Sequence, residues 1–141
     1  MVQPVYTAVA TARGDGRNGE VTSSDGVIDE SLTVPKEMGG PGGEHTNPEQ
    51  LFAAGYAACF HGALRLVAKQ ANADVDKSTV EAQVGIGKND RGGFELVVTL
   101  TANLPGLEQG KADELVAQAH QVCPYSNATR GNIEVTVRAT T

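Results

Sequence analysis

The chain carries two thiols, Cys59 and Cys123, placed far apart in the sequence. That spacing is not the CxxC of thioredoxin-like centres. It suits an attacking cysteine and a distant resolving cysteine that close a reversible disulfide. Cys123 opens the polar string CPYSNATRG (123–131), where Pro124 ends or bends the preceding helix and leaves the thiol at a boundary at which backbone can move. Cys59 lies in an apolar segment, and a buried thiol without an activating partner is inert packing. To attack a peroxide it must be a thiolate, which demands a fixed positive charge to offset the desolvation that raises its pKa. Arg13 and Arg17, in the glycine-rich turn RGDGRNGE (13–20), are the candidates, because a guanidinium stays protonated and its fork can polarise peroxide oxygens. A carboxylate must hold that guanidinium, and Glu49 can do so, although complementing a helix dipole would also account for it.

The elements that position these residues follow from pattern. Residues 4–12 (PVYTAVATA) alternate as a strand does, and residues 20–24 and 27–34 read as a hairpin about Asp25-Gly26. A glycine-rich loop follows at 36–46, near the length at which loops without structure usually carry function. Asn47 is a good helix N-cap, Pro48 suits the first helical position and Gln50 completes a capping box, so a helix begins there and runs to about residue 71. From Leu51 to Ala68 its only charge is Arg65, and a helix apolar all round is buried all round. Its length, roughly 36 Å, exceeds the ~26 Å diameter of a compact 100-residue domain, from which we infer a homodimer. Residues 78–88 and 93–104 are two more strands, 106–122 a second helix with Leu107, Ala112, Leu115, Val116, Ala119 and Val122 at helical spacing, and 132–140 a last strand. The order βββαββαβ predicts an α+β fold with mainly antiparallel sheets, in one domain over residues 1–141.

Composition narrows the function. With 11 Lys+Arg against 17 Asp+Glu, the net charge of −6 argues against nucleic-acid or polybasic membrane binding. Trp is absent and aromatics are 4%, so a face of stacked rings has little material. No uninterrupted run of about 18 apolar residues and no leader pattern is found, from which a cytoplasmic location is expected. Two cysteines are too few for a disulfide scaffold. His45, His61 and His120 join them in a superficially zinc-like set. However, Cys59 and His61 at i and i+2 point apart on a helix, and His120 with Cys123 gives only two ligands, so no metal site is expected. His61 is read as pocket or interface packing.

Two strings, TNPEQLFAAGYAACFHGAL (46–64) and VCPYSNATRGNIEV (122–135), resemble the organic hydroperoxide resistance branch of the Ohr/OsmC thiol peroxidases. The similarity extends over SSDG (23–26) and the PKEMGGPGG loop. The resemblance implies an intertwined homodimer with sheets wrapped around long central helices. It implies a peroxidatic Cys59, a resolving Cys123, the guanidinium of Arg17 in RNGEVTSSDG and the carboxylate of Glu49 in NPEQ. The implied substrates are organic hydroperoxides, lipid-type ones included, reduced to alcohols; no cofactor is bound, and a lipoylated protein or dihydrolipoyl-type dithiol resets the disulfide. Rivals are a sister OsmC-type peroxidase with another peroxide preference and a thiol redox sensor that does not turn over.

One geometric demand stands apart from the resemblance. Glu49 and Cys59 are about 15 Å apart along a straight helix, whereas a guanidinium held by the carboxylate must come within ~3 Å of the thiolate. Either the helix breaks near Gly55, or Arg17 and Glu49 reach Cys59 from the partner chain, the arrangement favoured here. The pocket walls would come from Phe52, Tyr56, Phe60 and Leu66, and burying alkyl area at about 25 cal/mol per Å² favours a bulky organic peroxide over hydrogen peroxide.

Overall fold

Three short strands lead the chain: β1 (Ala10–Arg13), β2 (Glu20–Ser23) and β3 (Asp29–Ser31), antiparallel in the order β1-β2-β3. The computed structural model describes residues 1–141, which divide into two compact units, Met1–Leu51 and Phe52–Thr141. In the first unit only residues 10–12 of the expected 4–12 strand join a ladder, which continues to Arg13. Residues 1–9 are exposed and, apart from the Val9 carbonyl accepting from the Ser24 N–H, pair with no strand of the chain, and alternation without a partner makes no ladder. The loop after β3 is ordered: a 3₁₀ turn at Lys36–Met38 ends on Gly39 in the left-handed region, and the loop's ends are pinned by the Leu32–Thr46 bridge. Leu32 is the only buried hydrophobic residue of this unit, while Val5, Tyr6, Val9, Val27 and Ile28 are exposed. A sheet with so little behind it has no core of its own.

The long helix α1 (Pro48–Gln70) starts where its cap predicts, with Asn47 Oδ1 accepting from the Gln50 N–H at 2.8 Å. The capping box is not closed, because the Gln50 side chain accepts from the Thr46 hydroxyl instead. The helix is continuous through Gly55. Its 18-residue windows reach a mean hydropathy of 1.4, enough by length and composition to cross a bilayer. Within the second unit Tyr56, Phe60, Leu64, Val67 and Ala68 build the core instead. Burial all round is not observed: Ala54, Ala58, Gly62 and Leu66, four apart on one stripe, face outward.

The second sheet holds β4 (Thr79–Lys88), β5 (Phe94–Asn103) and β6 (Val135–Thr140) in that order. β4 and β5 are a ten-residue antiparallel hairpin, while β6 lies parallel to β5 because α2 (Gln109–Val122) and α3 (Pro124–Thr129) form the crossover between them. Val98, Leu100, Ala102 and Leu104 from the β5 segment meet α1 and the α2 seam Ala112, Leu115, Val116 and Ala119. Val122 falls outside that seam and is exposed, and Cys123 takes the next buried position.

Candidate active site

In the first unit, Arg17 and Glu49 form a two-point ion pair. Nη1 and Nη2 donate to Oε2 and Oε1 at 2.9 and 2.8 Å. Arg17 is set by a short 3₁₀ turn, Gly16–Asn18, between β1 and β2. The turn depends on Gly19, where a Cβ would stand 2.2 Å from the Arg13 carbonyl oxygen. Glu49 is fixed by the first turn of α1. The pair holds the Glu49 carboxyl below the usual carboxylate range, burial opposing, and raises the guanidinium further. Of the five guanidinium N–H groups, two serve Glu49, and three are left to meet an anion. Arg13 is not part of this pair; its guanidinium donates to Thr22 Oγ1 on the exposed face of the sheet.

In the second unit the two cysteines meet. Cys123 Sγ stands 3.7 Å from Cys59 Sγ, both thiols reduced, Cys59 half-buried and Cys123 fully buried. α1 supplies Cys59, and Cys123 is the single residue between α2 and α3, with extended backbone at φ −64, ψ 123. Pro124 does not merely end α2: it begins α3 at the first helical position, where its missing N–H costs nothing. Burial is the main cause that pushes the Cys59 thiol above its ordinary value, the Cys123 thiol adds to it, and the backbone amide of Tyr125 works in the opposite direction.

A polar network flanks the thiols. Tyr56 Oη lies 2.8 Å from Ser126 Oγ and 3.1 Å from Thr129 Oγ1, and His120 Nδ1 lies 2.8 Å from Ser126 Oγ. Arg130 Nη1 donates to the His120 carbonyl. Burial, followed by the Arg130 charge, holds His120 below the ordinary imidazole value. The Tyr125 ring packs against Phe52 and Tyr56 with centroids at 6.0 and 5.6 Å. It lies across α1 at Gly55, where a Cβ would come within 2.8 Å of its hydroxyl. Beside Phe52 and Tyr125 opens a cavity of about 580 Å³, with Phe94, Leu96 and Ile133 among its walls.

Of the expected wall residues, Phe52 lines that cavity, Tyr56 and Phe60 lie wholly within the core, and Leu66 is exposed on the outer stripe of α1. His61 is engaged structurally: the Ser78 hydroxyl donates to the Val75 carbonyl, which leaves His61 Nε2–H to donate to Ser78 Oγ at 3.0 Å. No three His, Cys, Asp or Glu side chains converge as a metal site would require. Tyr125, Ser126 and His120 were not anticipated at the site. His120 and Ser126 each lie three residues from Cys123, and reading Pro124 as a helix start rather than a stop would have put Cys123 at the junction of the two helices that carry them.

Fold and site define an α+β protein with two facing free thiols. The chain belongs to the OsmC-like protein family, whose pattern matches residues 40–138. It is 54% identical over 134 residues to the organic hydroperoxide resistance protein of Xanthomonas axonopodis pv. citri (strain 306), covering 94% of this chain and 93% of that one. The crystal structure of an organic hydroperoxide resistance protein from Elizabethkingia anophelis, with crystallant-derived thiocyanate bound, matches with a TM-score of 0.94 at 51% identity over 99% of each chain. The crystal structure of OhrB of Bacillus subtilis matches with a TM-score of 0.88 at 50% identity, covering 97% of this chain and 100% of that one.

Proposed function

We propose that the chain is a cysteine peroxidase that reduces organic hydroperoxides to alcohols. The observation that carries this reading is the 3.7 Å approach of two free sulfurs from distant parts of the sequence, one half-buried and one fully buried. A disulfide needs about 2.05 Å between sulfurs, so a side-chain rotation and a small backbone adjustment close the gap. In the first step the Cys59 thiolate attacks the terminal peroxide oxygen, the O–O bond breaks, and the alkoxide leaves with a proton as the alcohol. Cys59 is then a sulfenic acid. Attack by the Cys123 sulfur forms the S–S bond and expels water, and an external dithiol of lipoyl type resets the pair by two exchanges, with no bound cofactor.

Burial alone leaves the Cys59 thiol poorly ionised, so a cation must act on it. We assign this role to Arg17, oriented by Glu49 and supplied from a second copy of the chain. The continuous α1 supports supply in trans, because it provides no break near Gly55 to shorten the path from Glu49 to Cys59. A homodimer would also cover the exposed stripe of α1 and back a sheet that has only Leu32 behind it. Phe52 and the cavity beside Tyr125 would take the organic part of the peroxide. The organic hydroperoxide resistance proteins to which the chain is similar agree with such a substrate, and a thiol cycle of this kind suits the reducing cytoplasm.

Intact-mass analysis after one equivalent of cumene hydroperoxide tests the reading. Loss of two hydrogens, mapped to a Cys59–Cys123 link, is the expected result; an unreacted or merely oxygenated chain would overturn it. The raised Cys59 thiol favours one second reading, a slow redox sensor. Sustained consumption of the peroxide with dihydrolipoamide excludes that reading, and a single turnover supports it.

A further inference from the structure

Three polar side chains tie together the helices that carry the thiols, and their spacing repeats that of the cysteines. Tyr56 lies three residues before Cys59 on α1, His120 three before Cys123 on α2, and Ser126 three after Cys123 on α3. On α1, residues three apart share a face, so the Tyr56–Ser126 link and the Cys59–Cys123 contact leave that helix from the same side, while His120 and Ser126 flank the junction residue Cys123. Ser126 is fully buried, and its hydroxyl is the single node between the other two, at 2.8 Å from each.

Proton inventory shows that the node is satisfied in either direction. With a proton on His120 Nδ1, histidine donates to Ser126, Ser126 to Tyr56 and Tyr56 to Thr129. With Nδ1 bare, Ser126 donates to histidine and Tyr56 donates to Ser126. Arg130, which donates to the His120 carbonyl, adds a second tie across the α2–α3 junction, while Thr129 can donate to the Ser126 carbonyl within α3. Cys123 moves with both flanking helices, because its N–H donates to the Ala119 carbonyl and its carbonyl accepts from the Asn127 N–H. It is the junction residue, outside both helices, and the sulfur of Cys59 is its only side-chain partner.

We propose that the buried His120–Ser126–Tyr56 chain is a positioning device that holds the α2–α3 junction against α1, so that it governs the speed of disulfide closure and not the first attack on peroxide. None of the three need touch substrate, and the role rests on the proposed resolving function of Cys123. Once Cys59 is a sulfenic acid, a junction held in register presents the Cys123 sulfur at once; a junction cut loose leaves the sulfenic acid waiting, open to a second peroxide and oxidation to the sulfinic acid.

Ser126→Ala removes the node at almost constant volume. His120→Ala removes one arm, and His120→Asn restores a polar atom near the Nδ1 position. The two oxidation steps are read separately: disappearance of the Cys59 thiol after mixing with cumene hydroperoxide, and appearance of the Cys59–Cys123 link in quenched samples. Ser126→Ala and His120→Ala should keep the first rate within about two-fold and slow the second about ten-fold, the sulfenic acid accumulating as a dimedone adduct, with His120→Asn recovering much of the second rate. Closure at the wild-type rate in both alanine variants overturns the proposal. So does an equal slowing of both steps, which would make the network ordinary packing. Failure of the wild type to form the link removes the resolving role itself, and the proposal with it, an outcome separable from the others because it needs no variant.

Discussion

The two residue pairs of the candidate site are built on opposite principles. Arg17 and Glu49 meet by charge, in a two-point salt bridge whose arginine side chain is 40% exposed, set by a glycine turn in a unit with a single buried hydrophobic residue. Cys59 and Cys123 meet by packing, in a unit whose core is continuous with the thiols and whose polar groups near them are hydrogen-bonded. Charge reaches across several ångströms and tolerates movement, whereas contact between sulfurs does not. Burial first, and the Cys123 thiol after it, push Cys59 above its ordinary value, so the packed pair by itself works against ionisation, and in the proposed reading the ion pair offsets that.

The largest effect should come from the packed pair. Cys59→Ser should lose turnover to background, while Cys123→Ser should accept one oxidation and then stall as a sulfenic acid, read by peroxide consumption and intact mass. Equal loss of the first oxidation in both variants would break the division of labour. The charged pair comes next. Arg17→Ala should move the pH profile of Cys59 alkylation upward by about one unit, which corresponds to ~1.4 kcal/mol between the two protonation states. Arg13→Ala, whose partner is the Thr22 hydroxyl, should leave it in place. The reverse pattern would transfer the role to Arg13.

A smaller effect separates the pairs by stability. The folded-state pKa of Glu49 is depressed below 4.5, so its contribution is complete above about pH 4.5 and disappears as pH falls through the lower folded value. Solvent screens the exposed side of Arg17, and about 1 kcal/mol at most is at stake. Urea midpoints of the wild type and Glu49→Gln should therefore differ at pH 7 and converge in acid. A constant gap would show that the bridge adds nothing through its charge.

Sequence made the local part of this molecule legible. Asn47-Pro48 fixed the start of α1, the runs 78–88 and 93–104 correspond to β4 and β5, and the two cysteines with Glu49 pointed to α1 and the α2 boundary as the candidate site. What it missed depends on partners. Val5 and Tyr6 alternate as strand residues do, yet no strand of the chain pairs with them. The parallel setting of β6 depends on which side the crossover lands, a non-local choice. At Pro124 one residue type serves two opposite signals, and only the structure distinguishes a restart from a stop. Burial all round α1, expected from its composition, fails along Ala54, Ala58, Gly62 and Leu66 because the second unit has only one sheet and one helix pair with which to cover it.

The smallest effect sharpens the contrast most, because it turns on one methyl group. Gly55 lies inside α1, where alanine is favoured by about 1 kcal/mol, and yet a Cβ there would sit 2.8 Å from the Tyr125 hydroxyl and 3.2 Å from its ring. Overpacking of this kind costs about 1–3 kcal/mol, so Gly55→Ala should be neutral to destabilising despite the helix gain. With Tyr125→Ala the obstruction is gone and the helix gain is left alone, so the same substitution should then stabilise by about 1 kcal/mol. Urea midpoints of the four proteins measure this change of sign. If Gly55→Ala stabilises equally in both backgrounds, the Tyr125 ring is free to move aside, and the thiol region is not governed by packing as closely as its geometry indicates.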